Sequence, residues 1–166
     1  MAAAPITIRS FEAGDVGPVV RLILGVQRDE YGIDITAQDQ PDLMAIPDFY
    51  QTGAGGFWVA VRAGAIVGVI GLKDIGGRMG ALRKMFVDPS ARGPAGAGGR
   101  LLDVLLAHAA AMGLSALYLG TTDKFLAAHR FYEKNGFDEI AADLLPASFP
   151  RMAVDTRFYR RALAGG

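Results

Sequence analysis

The stretch that decides the fold is Arg83–Ala111, RKMFVDPSARGPAGAGGRLLDVLLAHAAA. Leu82, Met85, Phe86 and Val87 form a short apolar run, and Asp88-Pro89 stops it. Gly93, Gly96, Gly98 and Gly99 follow, and Leu101, Leu102, Val104, Leu105 and Leu106 then open a helical apolar pattern. Strand, glycine-rich loop and helix, in that order, suit an anion. Glycines let backbone N–H groups approach a phosphate, and the helix N-terminus adds partial positive charge. No Gly-Lys-Ser/Thr closes the loop and the glycine spacing is not that of a dinucleotide fingerprint, so both common nucleotide motifs are excluded. Arg92 and Arg100 flank the glycines, placed either to reach phosphate oxygens or to stand as solvated surface charge.

Working outward, Phe57–Val61 and Ala65–Leu72 read as a hairpin across Ala63-Gly64, and residues 76–80 as the turn into the strand at 82–87. Upstream, Ile6 and Ile8 alternate with Thr7 and Arg9 as in a strand. Asp15 is placed to cap a helix carrying Val16, Val19, Val20, Ile23 and Leu24, which ends before Gly32. Pro41 and Pro47 mark 33–52 as a loop with a short helix around Asp42–Tyr50. Downstream, Gly113 ends the long helix, Leu117–Leu119 is a buried strand, and Lys124–Asn135 is a helix closed by Gly136. Phe137–Ala141 and Met152–Tyr159 are the last two strands. A helix between the strands at 82–87 and 117–119 makes that pair parallel, and the other neighbours antiparallel. The expectation is an α/β (α+β) fold: a mixed, mostly antiparallel sheet flanked by helices, with one parallel pair beside the glycine loop, in one domain spanning 1–166.

Composition narrows the function. Apolar residues make up 51% and charged residues 20% of the chain, so it can bury a core. The formal net charge is +0, which argues against a nucleic-acid or anionic-membrane partner. There are no cysteines and only two histidines, so no disulfide framework, cysteine nucleophile or zinc site is expected. No secretory signal pattern or membrane-spanning apolar run is visible, and the expected location is the cytoplasm.

A second motif, Ala127–Phe137, reads AAHRFYEKNGF. An aromatic–Tyr–Glu–Lys–x–Gly–Phe run behind an Arg-Gly glycine loop resembles the GNAT (Gcn5-related N-acetyltransferase) family, over about 80–140 of this chain. That resemblance implies a transferase moving an acetyl group from acetyl-CoA to a primary amine by direct attack. It implies that the backbone of Met85, Phe86 and Val87 runs beside the pantetheine arm. It implies that the loop from Arg92 through Gly93, Gly96, Gly98 and Gly99 to Arg100 holds the pyrophosphate. Tyr132 falls on the tyrosine whose hydroxyl sits near the CoA sulfur, where it can act as general acid toward the departing thiolate. Members of that family often dimerise, and nothing in this sequence decides the matter.

Three positions depart from the family pattern. One extra residue stands between Gly93 and Gly96, and Pro94 removes a loop N–H. Phe125 replaces an asparagine common seven residues before the tyrosine. The start of the central strand, Gly80-Ala81-Leu82, lacks the glutamate that many members use as general base. An amine with a pKa near 10 is mostly protonated at neutral pH, so some group must take its proton. His129 shares a helix face with Tyr132 and is one candidate; a histidine packed on the sheet is the alternative. His108 reads as structural.

Between Asp29 and Val61 lie Asp29, Glu30, Asp34, Asp39, Asp42 and Asp48, with no Lys, Arg or His. Asp29, Glu30 and Tyr31 are the candidate acceptor-binding residues, Glu30 a second candidate base, and Tyr50 and Trp58 further aromatic candidates. Against this acidic segment, Arg83, Lys84, Arg92 and Arg100 make the glycine-loop region basic. The expected acceptor is a small-molecule or peptide amine. The alternative function is a non-catalytic acyl-CoA-binding module on the same fold, motivated by the missing carboxylate and asparagine.

Overall fold

The structure is a computed structural model describing residues 4–93 and 96–163. Pro94 and Ala95, on which the shift in loop amides was expected to turn, lie outside the described residues. The strands are β1 (Ile6–Ser10), β2 (Gly56–Arg62), β3 (Ala65–Asp74), β4 (Met79–Val87), β5 (Ala116–Thr121), β6 (Asp138–Ile140) and β7 (Arg157–Ala162). The α-helices are α1 (Val16–Leu24), α2 (Ile46–Phe49), α3 (Ala97–Ala111) and α4 (Leu126–Lys134). Among the described residues one seven-stranded sheet runs β1-β2-β3-β4-β5-β7-β6, and β4–β5 is its one parallel pair. This is the mixed, mostly antiparallel sheet expected.

Both faces of the sheet are covered, which is why β2 and β3 read as nearly continuous apolar runs. Side chains alternate across a strand. On β2, Trp58 and Ala60 pack with Leu101, Leu102 and Leu105 of α3, whereas Phe57 and Val59 pack with Val19 and Ile23 of α1 and with Tyr50 after α2. The buried α3 positions Leu101, Leu105 and Ala109 recur every four residues, one face of a helix. His108 donates from Nε2 to the carbonyls of Ala54 and Gly55, each at 3.1 Å, and its ring meets Trp58 edge-on at 5.0 Å. His108 is thus structural, as its spacing suggested, and Trp58, an aromatic candidate for the acceptor pocket, belongs to the core instead.

Two expectations need correction. Asp15 does not cap α1: it accepts from the Glu12 amide at 2.8 Å and pairs with Arg9 at 2.7 Å, tying β1 to the helix start. The last strand begins at Arg157, not Met152. Residues 152–155 instead form a turn that the Asp155 side chain closes, accepting from the Met152 amide at 2.9 Å. The sheet ladder is rejoined where the Thr156 amide donates to the Thr121 carbonyl at 2.9 Å.

Two irregularities of β4 create the site. β5 pairs with β4 only at Met79, Gly80 and Ala81, while its other edge pairs with β7 along its whole length, Ala116 to Thr121. The edge of β4 from Leu82 onward is therefore left without a strand partner on the β5 side. On the β3 side, Val69 faces Phe86 and Gly71 faces Arg83, so β4 carries one extra residue, a β-bulge. Lys84 absorbs it at φ +54°, in the left-handed region that costs a non-glycine residue about 1 kcal/mol or more.

Candidate active site

A cavity of about 600 Å³ occupies the splay between β4 and β5. Its walls come from both faces of the sheet. Leu82, Met85, Val87 and Tyr132 line it on the α3/α4 side; Gln27, Tyr31, Arg83, Lys84 and Phe86 line it on the α1/α2 side. Gly120 and Thr121 of β5, with Thr122 just after it, form the opposite edge. Arg92, Gly93, Gly98 and Gly99 stand at one end, and Phe149, Pro150, Met152 and Asp155 also contribute. The cavity is thus a passage through the sheet, of a size usual for small-molecule sites.

Most of the sequence-derived cofactor residues meet here: Met85, Phe86, Val87, Arg92, Gly93, Gly98 and Gly99. Gly96 and Arg100 do not line it. Gly96 precedes α3, its amide donating to Gly93 O at 2.9 Å, and a Cβ there would stand 2.2 Å from the Ala91 carbonyl oxygen. The chain can close this turn only with glycine. Arg100 is exposed and donates to the carbonyl of Ile6 on β1. Arg130 and Lys134 of α4, which the sequence did not single out, add exposed cations to the cavity lining.

Tyr132 is 6% exposed, set edge-on to Phe137 at 5.7 Å. Burial, with Tyr159 nearby, raises its phenol well above the usual tyrosine range. It therefore stays protonated at working pH and can serve as a hydrogen-bond donor. A thiol has a pKa of about 8.5, so full proton transfer from such a phenol to a thiolate runs uphill, and donation of a hydrogen bond is the easier role.

The acceptor-side candidates are not brought together. Asp29 and Glu30 line a separate depression with Arg21 and Asp88. The helical chain explains it: Gln27 and Tyr31 are four apart and face the cavity, while the intervening residues turn away. Glu30 instead accepts a two-pronged bond from Arg92, at 2.5 and 2.6 Å, while Arg92 Nε donates to Val87 O at 2.9 Å. A candidate base and a candidate phosphate ligand are thus paired with each other. Tyr31 meets Phe125 edge-on at 4.7 Å, so the phenylalanine in the asparagine position forms an aromatic cavity wall. Tyr50 is fully buried in the core and donates to Asp42 at 2.5 Å.

His129 lies outside the cavity lining. Its Nε2–H donates to the Thr122 carbonyl at 2.9 Å, which leaves Nδ1 as the acceptor, and Arg157 donates to Nδ1 at 2.8 Å. Both ring nitrogens are spent.

Three cavity residues carry charge that the sequence assigned elsewhere or passed over. Asp155 is the one carboxylate lining the cavity among the described residues. It lies over Gly120, where a Cβ would be 2.7 Å from its Oδ2, and burial pushes it above the usual carboxylate range. Lys84 is not a cofactor-side cation: its Nζ donates to Gln40 at 2.6 Å, 3.7 Å from Asp42, and burial lowers its pKa to about 8. Arg83 donates to Pro150 O at 3.3 Å and lies 5.3 Å from the Phe49 ring centroid. No cluster of three or more His, Cys, Asp or Glu suited to a metal, and no helix long and apolar enough to cross a membrane, occurs among the described residues.

Comparison with known proteins agrees with this geometry. The acetyltransferase (GNAT) family model matches residues 25–137. A GNAT-family acetyltransferase from Staphylococcus aureus Mu50 superposes with a TM-score of 0.92 at 41% identity, covering 95% of this chain and 99% of that one. An acetyltransferase from Streptococcus agalactiae gives 0.90 at 31% identity, covering 95% and 98%. An N-acetylaspartate synthetase from Xenopus tropicalis is 35% identical over 101 residues, 60% of this chain but only 37% of the synthetase's length. With the strand–glycine loop–helix, the splayed parallel pair and the buried tyrosine all in place, the chain belongs to the acetyltransferase (GNAT) family.

Proposed function

We propose that this protein transfers the acetyl group of acetyl-CoA, the co-substrate of its family, directly to a primary amine of a small molecule. The observation that carries this reading is the passage through the sheet. It has the glycine turn at one end, the Tyr132 side chain on one face, and Gln27 and Tyr31 on the other. A thioester lying along the free edge of β4 would meet the amine within the splay. The relative named for aspartate acetylation supports a small acceptor.

Each step then has a group. The unpartnered backbone of β4 beyond Ala81 offers N–H donors where the attacked carbonyl oxygen gains charge. Tyr132 donates a hydrogen bond to the departing sulfur. The ammonium proton passes to Asp155, whose raised pKa makes it a better proton acceptor than an ordinary carboxylate. This assigns the base to a residue other than Asp29, Glu30 or His129. Arg92, Gly93, Gly98 and Gly99, with Arg130 and Lys134, form the end suited to phosphates.

The test is release of CoA from acetyl-CoA across an amine panel, with wild type and Tyr132→Phe. Wild type should acetylate at least one amine. The variant should lose about 10²–10³-fold in kcat, the scale of one lost transition-state donor, with acetyl-CoA affinity little changed. Tight CoA binding without transfer to any amine would make the protein a binding module instead.

A further inference from the structure

We propose that the acceptor amine also carries a carboxylate, which Arg83 and Lys84 hold on the α1/α2 side of the passage. The inference rests on the transferase reading above and adds the class of acceptor.

The bulge in β4 is the starting point. In a regular strand, neighbours such as Arg83 and Lys84 point to opposite faces. The extra residue at Lys84 breaks that alternation. Arg83 lies against Phe49, and Lys84 reaches Gln40 and Asp42, so both side chains stand on the same side of the sheet. Both line the cavity.

Among the described residues, neither has a carboxylate within 3.5 Å. Among the described residues, no carboxylate comes within 4.0 Å of Arg83; its neighbours include the Pro150 carbonyl, the Tyr50 hydroxyl and the Phe49 ring. Lys84, its side chain 3% exposed, has its short bond to the neutral amide of Gln40. Its nearest carboxylate, Asp42 at 3.7 Å, already accepts the Tyr50 hydroxyl, and Asp155 stands farther off. A charge held this deep gains from a close counter-charge, and an entering anion would supply one.

The surroundings sharpen the choice of anion. Ile33, Ile35 and Phe149 make this wall apolar, which strengthens each charged contact. The planar guanidinium of Arg83 suits a two-oxygen carboxylate. Asp155, also on the lining, supplies one negative charge for the ammonium. Arg83 and Lys84 on this side of the lining, with Asp155, complement a zwitterion, an amino acid rather than a simple polyamine.

The experiment compares acetylation of amino acids with that of their decarboxylated and amide-capped counterparts. In wild type, kcat/KM for the preferred acid should exceed that of its decarboxylated partner by about 10–100-fold, the worth of one or two charge-assisted bonds. In Arg83→Gln the acid's KM should rise about tenfold or more with a smaller change in kcat, and the preference for the acid should collapse. Because Lys84 is buried, its test is the double variant Lys84→Met/Asp42→Asn, which removes both charges together and should collapse the preference in the same way. The wild-type comparison needs no variant to fold. Equal acetylation of acids and their decarboxylated partners would overturn the carboxylate site and leave the transferase standing. No transfer to any amine would overturn the transferase reading, and this inference with it.

Discussion

His129 and Asp155 show how neighbours decide what a titratable residue does. His129 can accept a proton only by giving up Arg157, because its other nitrogen already donates to Thr122. Asp155 has one oxygen on the Met152 amide, lines the cavity, and is held above the usual carboxylate range by burial. Asp155→Asn should therefore lower kcat by about 10²–10⁴-fold, the usual worth of a general base. The wild type must have Asp155 ionised to accept a proton, so its rate should fall as pH drops through that raised pKa. The asparagine variant should lack this acid limb. His129→Ala should instead cost about 1–3 kcal/mol of stability, from the bonds it leaves unmade, and keep the limb. A pH–rate profile and a urea melt of each variant separate the two roles; an acid limb that survives in Asp155→Asn would rule Asp155 out as base. Tyr132 was legible because a distinctive run of residues surrounds it. Asp155 was not, because Met152–Tyr159 reads as a continuous strand, and only the turn closed by Asp155 itself moves that residue to the cavity.

At the scale of elements, the glycine turn and the bulge divide the work. The turn fits because Gly96 lets the backbone pass within contact of Ala91 and Arg92. A Cβ would lie 2.2 Å from the Ala91 carbonyl oxygen and 2.8 Å from the Arg92 carbonyl carbon, both backbone atoms that cannot swing aside. Gly96→Ala should therefore reopen the turn. The expected outcome is a rise of about tenfold or more in the KM for acetyl-CoA, a smaller change in kcat, and about 1–3 kcal/mol of lost stability. Unchanged acetyl-CoA kinetics would mean that the turn does not position the cofactor. The order of elements along the chain, the parallel pair and the long helix were readable because apolar periodicity and glycine stops are local signals. The bulge was not, since nothing in Arg83-Lys84-Met85-Phe86 marks a lysine for positive φ. That one omission misassigned Arg83 and Lys84 to the phosphate side. The acidic segment misled for a related reason: helical phase, invisible in a charge count, turns Asp29 and Glu30 away and Tyr31 inward.

For the whole molecule, the passage exists because the sheet parts along β4, and the cost of that parting falls partly on Lys84. Its ammonium sits in the seam with Asp42, Arg83 and Asp155 as charged neighbours and Gln40 and Met152 in contact. Burial lowers its pKa from 10.5 to about 8. The unfolded chain therefore binds more protons at this position than the folded one between those two values, and stability rises with pH across that window. The penalty is present in full below pH 8. Tyr50, Tyr132 and Tyr159 are shifted upward, which works in the opposite direction once free tyrosine ionises near pH 10. The clean window therefore ends at about pH 9.5. Relative to the Lys84→Met/Asp42→Asn variant, the wild-type unfolding free energy should gain about 2 kcal/mol between pH 7 and pH 9.5, from about 1.4 kcal/mol per unit of pKa. Urea unfolding of both proteins across that range measures it. A difference that stays flat with pH would mean that Lys84 keeps an ordinary ammonium in the folded state, with its charge already compensated. The same titration bears on the acceptor: an anion bound at Arg83 and Lys84 raises the lysine pKa, so a carboxylate-bearing amine should stabilise the protein more at pH 7 than at pH 9.5.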